Sequence, residues 1–170
     1  MRSESRLLHL VAIALIGLVI LPATSSAQKL VLVVRHAERA DGGSSSPTAQ
    51  PDPLLSPAGQ ARAARLAQML AESGITALYT TEFKRAHDTA KPLADLLKLP
   101  VTTVSSPTAG LVARIRKEQP SGIVLIVGHS NTVPEIVKAF GGPTVTIDDD
   151  RFGDLFVIVP GTGVMTKVKF

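Results

Sequence analysis

The sequence predicts an α/β fold: a three-layer sandwich with a mostly parallel central sheet and helices on both faces. Three observations predict it. Leu30–Val34 and Ile123–Val127 are unbroken runs of aliphatic, largely β-branched residues, the signature of strands buried on both faces in a parallel sheet. Around them, strand-like and helix-like segments alternate along the chain. The chain is 170 residues long, a length that suits one domain, and it shows no internal repeat.

Each element has its own signal. Leu30–Val34 is the first strand. A polar stretch rich in Gly, Ser, Pro and Asp follows, from about Asp41 to Asp52, long enough to be a functional loop. Ser56-Pro57 reads as N-cap and first helical residue, and this helix runs through Ala61, Ala64, Leu66 and Leu70 to a stop near Gly74. Ile75–Tyr79 is a short strand. Glu82–Leu97 has a helical pattern, with Pro92 expected to kink or break it. Val101–Val104 is a strand, Thr108–Glu118 a helix closed by Pro120-Ser121-Gly122, and Ile123–Val127 the fourth strand. Val133–Phe140 is a helix ended by Gly141-Gly142. Val145–Ile147 and Leu155–Val159 read as further strands, and the alternation of Val164–Val168 as an edge strand.

The N-terminus reads separately. Arg2 and Arg6 precede an apolar run from Leu10 to Leu21, followed by Pro22 and small residues ending in Ala27. That is the layout of a secretory signal peptide, so residues 1–27 are expected to be cleaved before Gln28, leaving residues 28–170 as the folded domain. The run is short for a membrane span, although an uncleaved N-terminal anchor is the alternative. The expected location is therefore periplasmic or secreted, with no stable membrane association after cleavage. The chain has no cysteine, which excludes disulfides, thiol chemistry and a lipidated cysteine. It carries a formal net charge of +4, but its basic residues are scattered and not interleaved with aromatics, so no nucleic-acid partner is expected. The arginines suit a small anionic substrate instead.

Two of the four histidines, His36 and His129, follow directly on the two central strands. Ligands of open α/β sheets bind at that edge. Arg35 adjoins His36. Arg85 lies in the segment Thr81-Glu82-Phe83-Lys84-Arg85-Ala86-His87-Asp88-Thr89-Ala90, in the first turn of the helix after the second strand. Two arginines and two histidines thus converge from three strand ends. Guanidinium forks bind pairs of phosphate oxygens, and a neutral imidazole can attack phosphorus. Backbone N–H groups near Ser130 and Asn131, at a helix start, suit an anion. The residues by themselves argue for phosphoryl transfer.

On these segments the chain resembles the histidine phosphatase superfamily, the phosphoglycerate mutase-like fold. Arg35-His36-Ala37 matches that family's first motif. Thr81, Arg85-Ala86 and Thr89-Ala90 match its second, and Gly128-His129 its third. Leu55-Ser56-Pro57-Ala58-Gly59 matches a minor signature opening the first helix. Each motif is weak alone, and four in order are strong. The resemblance implies that His36 is the nucleophile and that Arg35, Arg85 and His129 complete the phosphate pocket, with no cofactor or metal; Ser130 is expected in substrate binding from its place at the helix start. Many members carry a general-acid Glu beyond the second arginine. Here that stretch, Ser105–Leu111, has no carboxylate, as in the compact branch typified by small phosphohistidine phosphatases.

Glu38 and Glu82 are then the nearest candidates for the leaving-group acid, Glu38 slightly ahead, with Asp41 and Asp52 behind them. Glu82 could instead favour a helix N-terminus, and Glu38 could hold an arginine or a loop. His87 reads as a surface residue and Asp148-Asp149-Asp150 as a solvated turn. The expected function is hydrolysis of phosphate esters, with a phosphorylated small molecule as partner, through a phosphohistidine on His36. The alternatives are a non-catalytic phosphate- or anion-binding module, a phosphohistidine protein phosphatase, and a metal-dependent hydrolase using His36, Glu38 and His129 as ligands. Oligomeric state has no signal in the sequence.

Overall fold

A computed structural model of the protein describes residues 30–42, 52–105 and 108–170. The expected export segment, residues 1–27, lies outside the described residues, as does the first loop from 43 to 51. Among the described residues no helix is long and apolar enough to cross a membrane.

In chain order the elements are β1 (Leu30–Arg35), α1 (Pro57–Leu70), β2 (Ala77–Thr80), α2 (Lys84–Leu97), β3 (Val101–Thr103), α3 (Thr108–Glu118), β4 (Ile123–Gly128), α4 (Thr132–Ala139), β5 (Asp154–Val159) and β6 (Val164–Lys169). They form one six-stranded sheet in the order β3-β2-β4-β1-β5-β6. The first four of these strands are parallel, and β5 and β6 add on antiparallel. The apolar runs of β1 and β4 lie at the centre and pair in parallel, from Leu30 opposite Ile123 to Arg35 opposite Gly128.

Strand side chains alternate between faces, and here both faces are covered. Val31, Val33, Val124 and Ile126 pack with Ile115 of α3 and Val133 and Ile136 of α4. Leu32, Val34, Leu125 and Val127 pack with Leu66 of α1 and Leu93 of α2. The three-layer α/β sandwich with a mostly parallel sheet is the architecture observed. The chain winds outward from β1 through α1 and α2, then returns through α3 to place β4 between β2 and β1. The C-terminal ends of β1, β4 and β2 are therefore neighbours, and the first, third and second sequence motifs all stand there.

Three local expectations change. Val145–Ile147 is not a strand: the free side of β1 is taken by β5, so this segment has no ladder to join, and Val145 and Ile147 pack irregularly against the core. Helix α2 starts at Lys84, not Glu82, because Asp52 reaches across to accept from the Lys84 N–H at 3.0 Å from both carboxylate oxygens. Pro92 lies inside α2 without ending it. The apolar face that continues past Pro92, with Leu93 and Ala94 buried, holds the helix on the sheet, in line with tertiary packing outweighing propensity.

The glycine of the minor signature has a packing reason. Ser56 caps α1 by accepting from Gly59 N–H at 3.1 Å, and a Cβ on Gly59 would stand 2.3 Å from the Glu38 carbonyl oxygen. The clash is with backbone, which cannot rotate away. Gly59→Ala is therefore expected to destabilise the protein by about 1–3 kcal/mol, the usual range for overpacking, read as a lower denaturant midpoint at unchanged slope.

Candidate active site

The strand ends assemble one cleft of about 820 Å³, lined among others by Arg35, His36, Arg39, Arg85, His129 and Ser130. The turn after β1 is fixed from two sides. His36 N–H donates to the Gly128 carbonyl at 2.9 Å, extending the β1–β4 register by one bond. Ala37 N–H donates to Thr89 Oγ1 at 2.9 Å, and that hydroxyl donates to the Arg85 carbonyl at 2.7 Å. The threonine of the second motif thus ties the first motif to α2. Gly128 is required where it stands, since a Cβ there would lie 2.7 Å from Thr132 Oγ1. That hydroxyl accepts from His129 N–H at 2.9 Å and sets the handover from β4 to α4.

The tautomers of both histidines follow from their partners. His36 Nδ1 is 2.8 Å from the Ala37 carbonyl. A carbonyl only accepts, so Nδ1 carries the proton and Nε2 holds the lone pair. His129 Nε2 is 2.8 Å from Thr81 Oγ1, and Arg85 Nη2 approaches His129 Nδ1 at 3.5 Å. A guanidinium only donates, so Nε2 carries the proton on this ring. The two rings meet edge to face with centroids 5.2 Å apart.

Burial pushes the His36 pKa down to about 3; the Ala37 carbonyl opposes this, while His129, Arg85 and Arg35 add to it. Burial, with Arg85 next, pushes His129 down to about 4. Both rings are therefore neutral near pH 7 in the free protein. An NMR titration of the imidazole nitrogens is expected to show proton uptake only as pH falls through about 4 for His129 and about 3 for His36, not near 6.5. The sign for stability follows. Between about 3 and 6.5 the unfolded chain binds protons that these rings refuse, so stability falls as pH drops below about 6.5.

The arginines are wired alike. Arg35 Nη1 donates to the carbonyls of Asp148, Asp149 and Arg151 at 2.9–3.1 Å, and its Nη2 lies 3.9 Å from Asp149 Oδ1. Arg85 Nη1 lies 3.4 Å from Asp52 Oδ1. The Nε atoms of Arg35, Arg39 and Arg85 are buried with no hydrogen-bond partner among the described residues. An unsatisfied buried donor costs about 1–3 kcal/mol, and all three belong to guanidinium groups whose residues line the cleft. The Asp148–Asp150 turn is exposed, as expected, yet it also does structural work through its carbonyls.

Sequence reading passed over two phenylalanines and one arginine. Phe152 lies under the Arg35 guanidinium at 4.2 Å and Phe83 under that of Arg85 at 4.3 Å. Phe83 also meets His129 edge to face at 5.1 Å, and Phe152 lies 6.3 Å from His36. Each Arg–His pair therefore has an aromatic floor. The chain has only five phenylalanines, so one lying two residues before Arg85 was a usable signal; Phe152 had none, because only folding brings it to Arg35. Arg39 lines the cleft three residues beyond His36.

Among the acid candidates, Glu38 is not brought to the cleft. Its carboxylate is gripped by Arg62 of α1, with Nε and Nη2 at 2.6–2.9 Å. Burial alone would raise its pKa, but Arg62 overrides that and holds it below its ordinary value. A carboxylate so held is a poor proton donor, and its distance from the cleft also separates it from His36 and His129 as a ligand trio. Among the described residues no three His, Asp or Glu side chains are placed to share an ion. Asp52 caps α2 and touches Arg85, and Asp41 pairs with Arg39. Glu82 lines the cleft and is exposed. His87 is exposed beside Asp88.

Residues 31–106 match the family described as the histidine phosphatase superfamily (branch 1). No curated protein sequence matches the chain. Several solved structures share the fold. An alpha-ribazole phosphatase from Shigella flexneri superposes with a TM-score of 0.65 at 16% identity, covering 83% of this chain and 95% of its own. The protein histidine phosphatase SixA, complexed with tungstate, gives 0.62 at 18% identity, covering 82% and 94%. A mycobacterial glucosyl-3-phosphoglycerate phosphatase gives 0.60 at 15%, covering 76% and 89%. At these identities the likeness is one of fold.

Proposed function

With a histidine phosphatase fold and the superfamily match over residues 31–106 as premise, we propose that this protein is an exported, metal-independent phosphomonoesterase acting through a phosphohistidine on His36. The observation that carries the reading is the orientation of His36: Nδ1 is committed to the Ala37 carbonyl, which leaves the Nε2 lone pair uncommitted in a cleft that the guanidinium groups of Arg35, Arg39 and Arg85 also line. The Nε2 lone pair attacks phosphorus, the ester P–O bond breaks, and the alcohol leaves with a proton from Glu82. Water then attacks the phosphohistidine, returns a proton to Glu82 and releases phosphate.

Arg35 and Arg85 neutralise charge on the non-bridging oxygens, the preorganised electrostatic contribution that dominates such transfers. His129 adds to them. A dianion entering beside it favours its charged form, and Nδ1 takes up a proton only as Arg85 Nη2 turns from it to the phosphoryl oxygens. The imidazolium formed on phosphorylation of His36 is stabilised through its Nδ1–H bond to Ala37. Ser130 sits at the same rim, at the start of α4, in a substrate-binding role. Two solved structures of this fold are complexes with tungstate and with vanadate, both phosphate-like oxyanions, which supports the reading. The location is carried by the sequence of residues 1–27 alone.

The test is turnover of p-nitrophenyl phosphate, whose good leaving group needs little acid help. Hydrolysis unaffected by a chelator is expected. Arg85→Ala is expected to lower kcat/KM by about 10²–10³-fold, the scale of a lost transition-state donor, with Arg85→Lys rescuing only in part because it lacks the fork. Tight binding of phosphate without any turnover would establish the anion-binding alternative instead.

A further inference from the structure

We infer that the alcohol part of the substrate carries a compact, neutral apolar group, about the size of a benzene ring, and that this group is held in a second cavity beside the cleft, between α3 and α4. The inference names a substrate class for the phosphomonoesterase reading and rests on it.

The second cavity has a volume of about 180 Å³. Its floor is made by Ile126 near the end of β4, Leu111 of α3 and Ile136 of α4, each no more than 8% exposed. Its rim holds Thr81, Thr108, Thr132 and Glu135, which are half-buried or exposed, so a guest can enter. Three residues, Thr81, Val104 and Thr132, line both this cavity and the cleft. Two of them touch His129 directly. Thr81 Oγ1 lies 2.8 Å from its Nε2, and Thr132 Oγ1 accepts from its N–H at 2.9 Å. The wall that the two spaces share therefore stands one side chain away from the phosphoryl pocket. An ester bound at His129 and extending past this wall enters the second cavity.

Protein interiors ordinarily close on such a space, because unfilled apolar volume lowers stability. Here α3 and α4 are pinned to each other at two places. Thr108 Oγ1 donates to Glu135 Oε2 at 2.7 Å near the helix starts, and Arg116 Nη2 donates to the Ala139 carbonyl at 2.9 Å near the helix ends. The two pins hold the helices at a fixed separation over the strand ends, so the cavity is preorganised for a guest. The hydroxyls of Thr81, Thr108 and Thr132 are each engaged already, so none of them needs a polar partner from that guest. A space so lined offers water few partners and suits an apolar group; an aliphatic cavity of about 150 Å³ is enough to hold benzene.

The test uses calorimetry with two non-hydrolysable phosphonates, so it does not depend on turnover. Methylphosphonate presents the phosphoryl group with one carbon, and benzylphosphonate adds a ring. Benzylphosphonate is expected to bind about 10-fold or more tighter, the scale of burying one ring. Two variants fill the cavity: Leu111→Phe from the floor, and Thr108→Phe from the half-buried rim, where extra volume strains the core least. A thermal melt reports whether each is folded, and Thr108→Phe decides the test where Leu111→Phe is not. In the folded variants the preference is expected to fall to about one, with methylphosphonate affinity unchanged. Equal affinity of the wild-type protein for the two phosphonates, or binding of neither, overturns the inference. So does a preference that Thr108→Phe retains, which places the ring on the cleft wall beside Phe83 instead. Failure of the phosphatase reading shows separately, as absent p-nitrophenyl phosphate turnover with phosphonate binding intact.

Discussion

Replacing His36 by alanine is expected to lower turnover of every phosphate ester by about 10⁴-fold or more, the scale on which loss of a covalent nucleophile acts, while the protein stays folded. The reason is local. Of the two imidazoles that line the cleft among the described residues, His36 is the one with an uncommitted lone pair, and it is neutral near pH 7 because its pKa is pushed down to about 3, first by burial. His129 cannot substitute, because its Nε2 is bound to Thr81 and its Nδ1 faces Arg85. Rapid quenching of the wild-type protein with labelled substrate should trap an adduct that survives alkali and is lost in acid, as a phosphohistidine requires. His36→Ala should show none. Turnover by this variant close to wild type would remove the covalent mechanism.

Glu82→Gln is expected to split substrates by leaving group. An alkoxide leaves poorly without a proton, so alkyl phosphates should lose about 10²–10⁴-fold in kcat, the range of general-acid help. p-Nitrophenyl phosphate should change little by comparison. The structure directs this prediction to Glu82, because Glu38 is held by Arg62, Asp52 caps α2, and Glu82 alone of the two glutamates lines the cleft. Glu38→Gln is expected to act on stability instead, by releasing the bond between the motif turn and α1. A uniform loss on both substrate classes in Glu82→Gln would show that Glu82 positions the neighbouring Phe83–Arg85 stack rather than donating a proton. Measuring kcat for the two classes side by side distinguishes these results.

Much of this protein was legible in its sequence, for an identifiable physical reason. The buried parallel strands β1 and β4 had to be continuous apolar runs, and Ser56-Pro57 had to look like a helix start, because those demands are met by residues close in the chain. The same holds for the motif histidines and arginines, each within a residue or two of a strand end. The segment Val145–Ile147 shows the limit. Its β-branched pattern is that of a strand, but whether a strand forms depends on a free edge, and β5 occupies the one beside β1.

The sequence by itself determined the α/β class, the central pair of strands, and the presence of His36, His129, Arg35 and Arg85 at one edge of the sheet. Tertiary structure alone decided which of their atoms are available. It turned Glu38 toward Arg62, brought the carbonyls of residues 148–151 onto Arg35, slid Phe152 beneath that guanidinium, and set Arg39 in the cleft lining. These contacts join residues 24 to more than 100 positions apart. No local pattern encodes them, because hydrogen-bond direction and burial are fixed only when distant backbone and side chains compete for the same space.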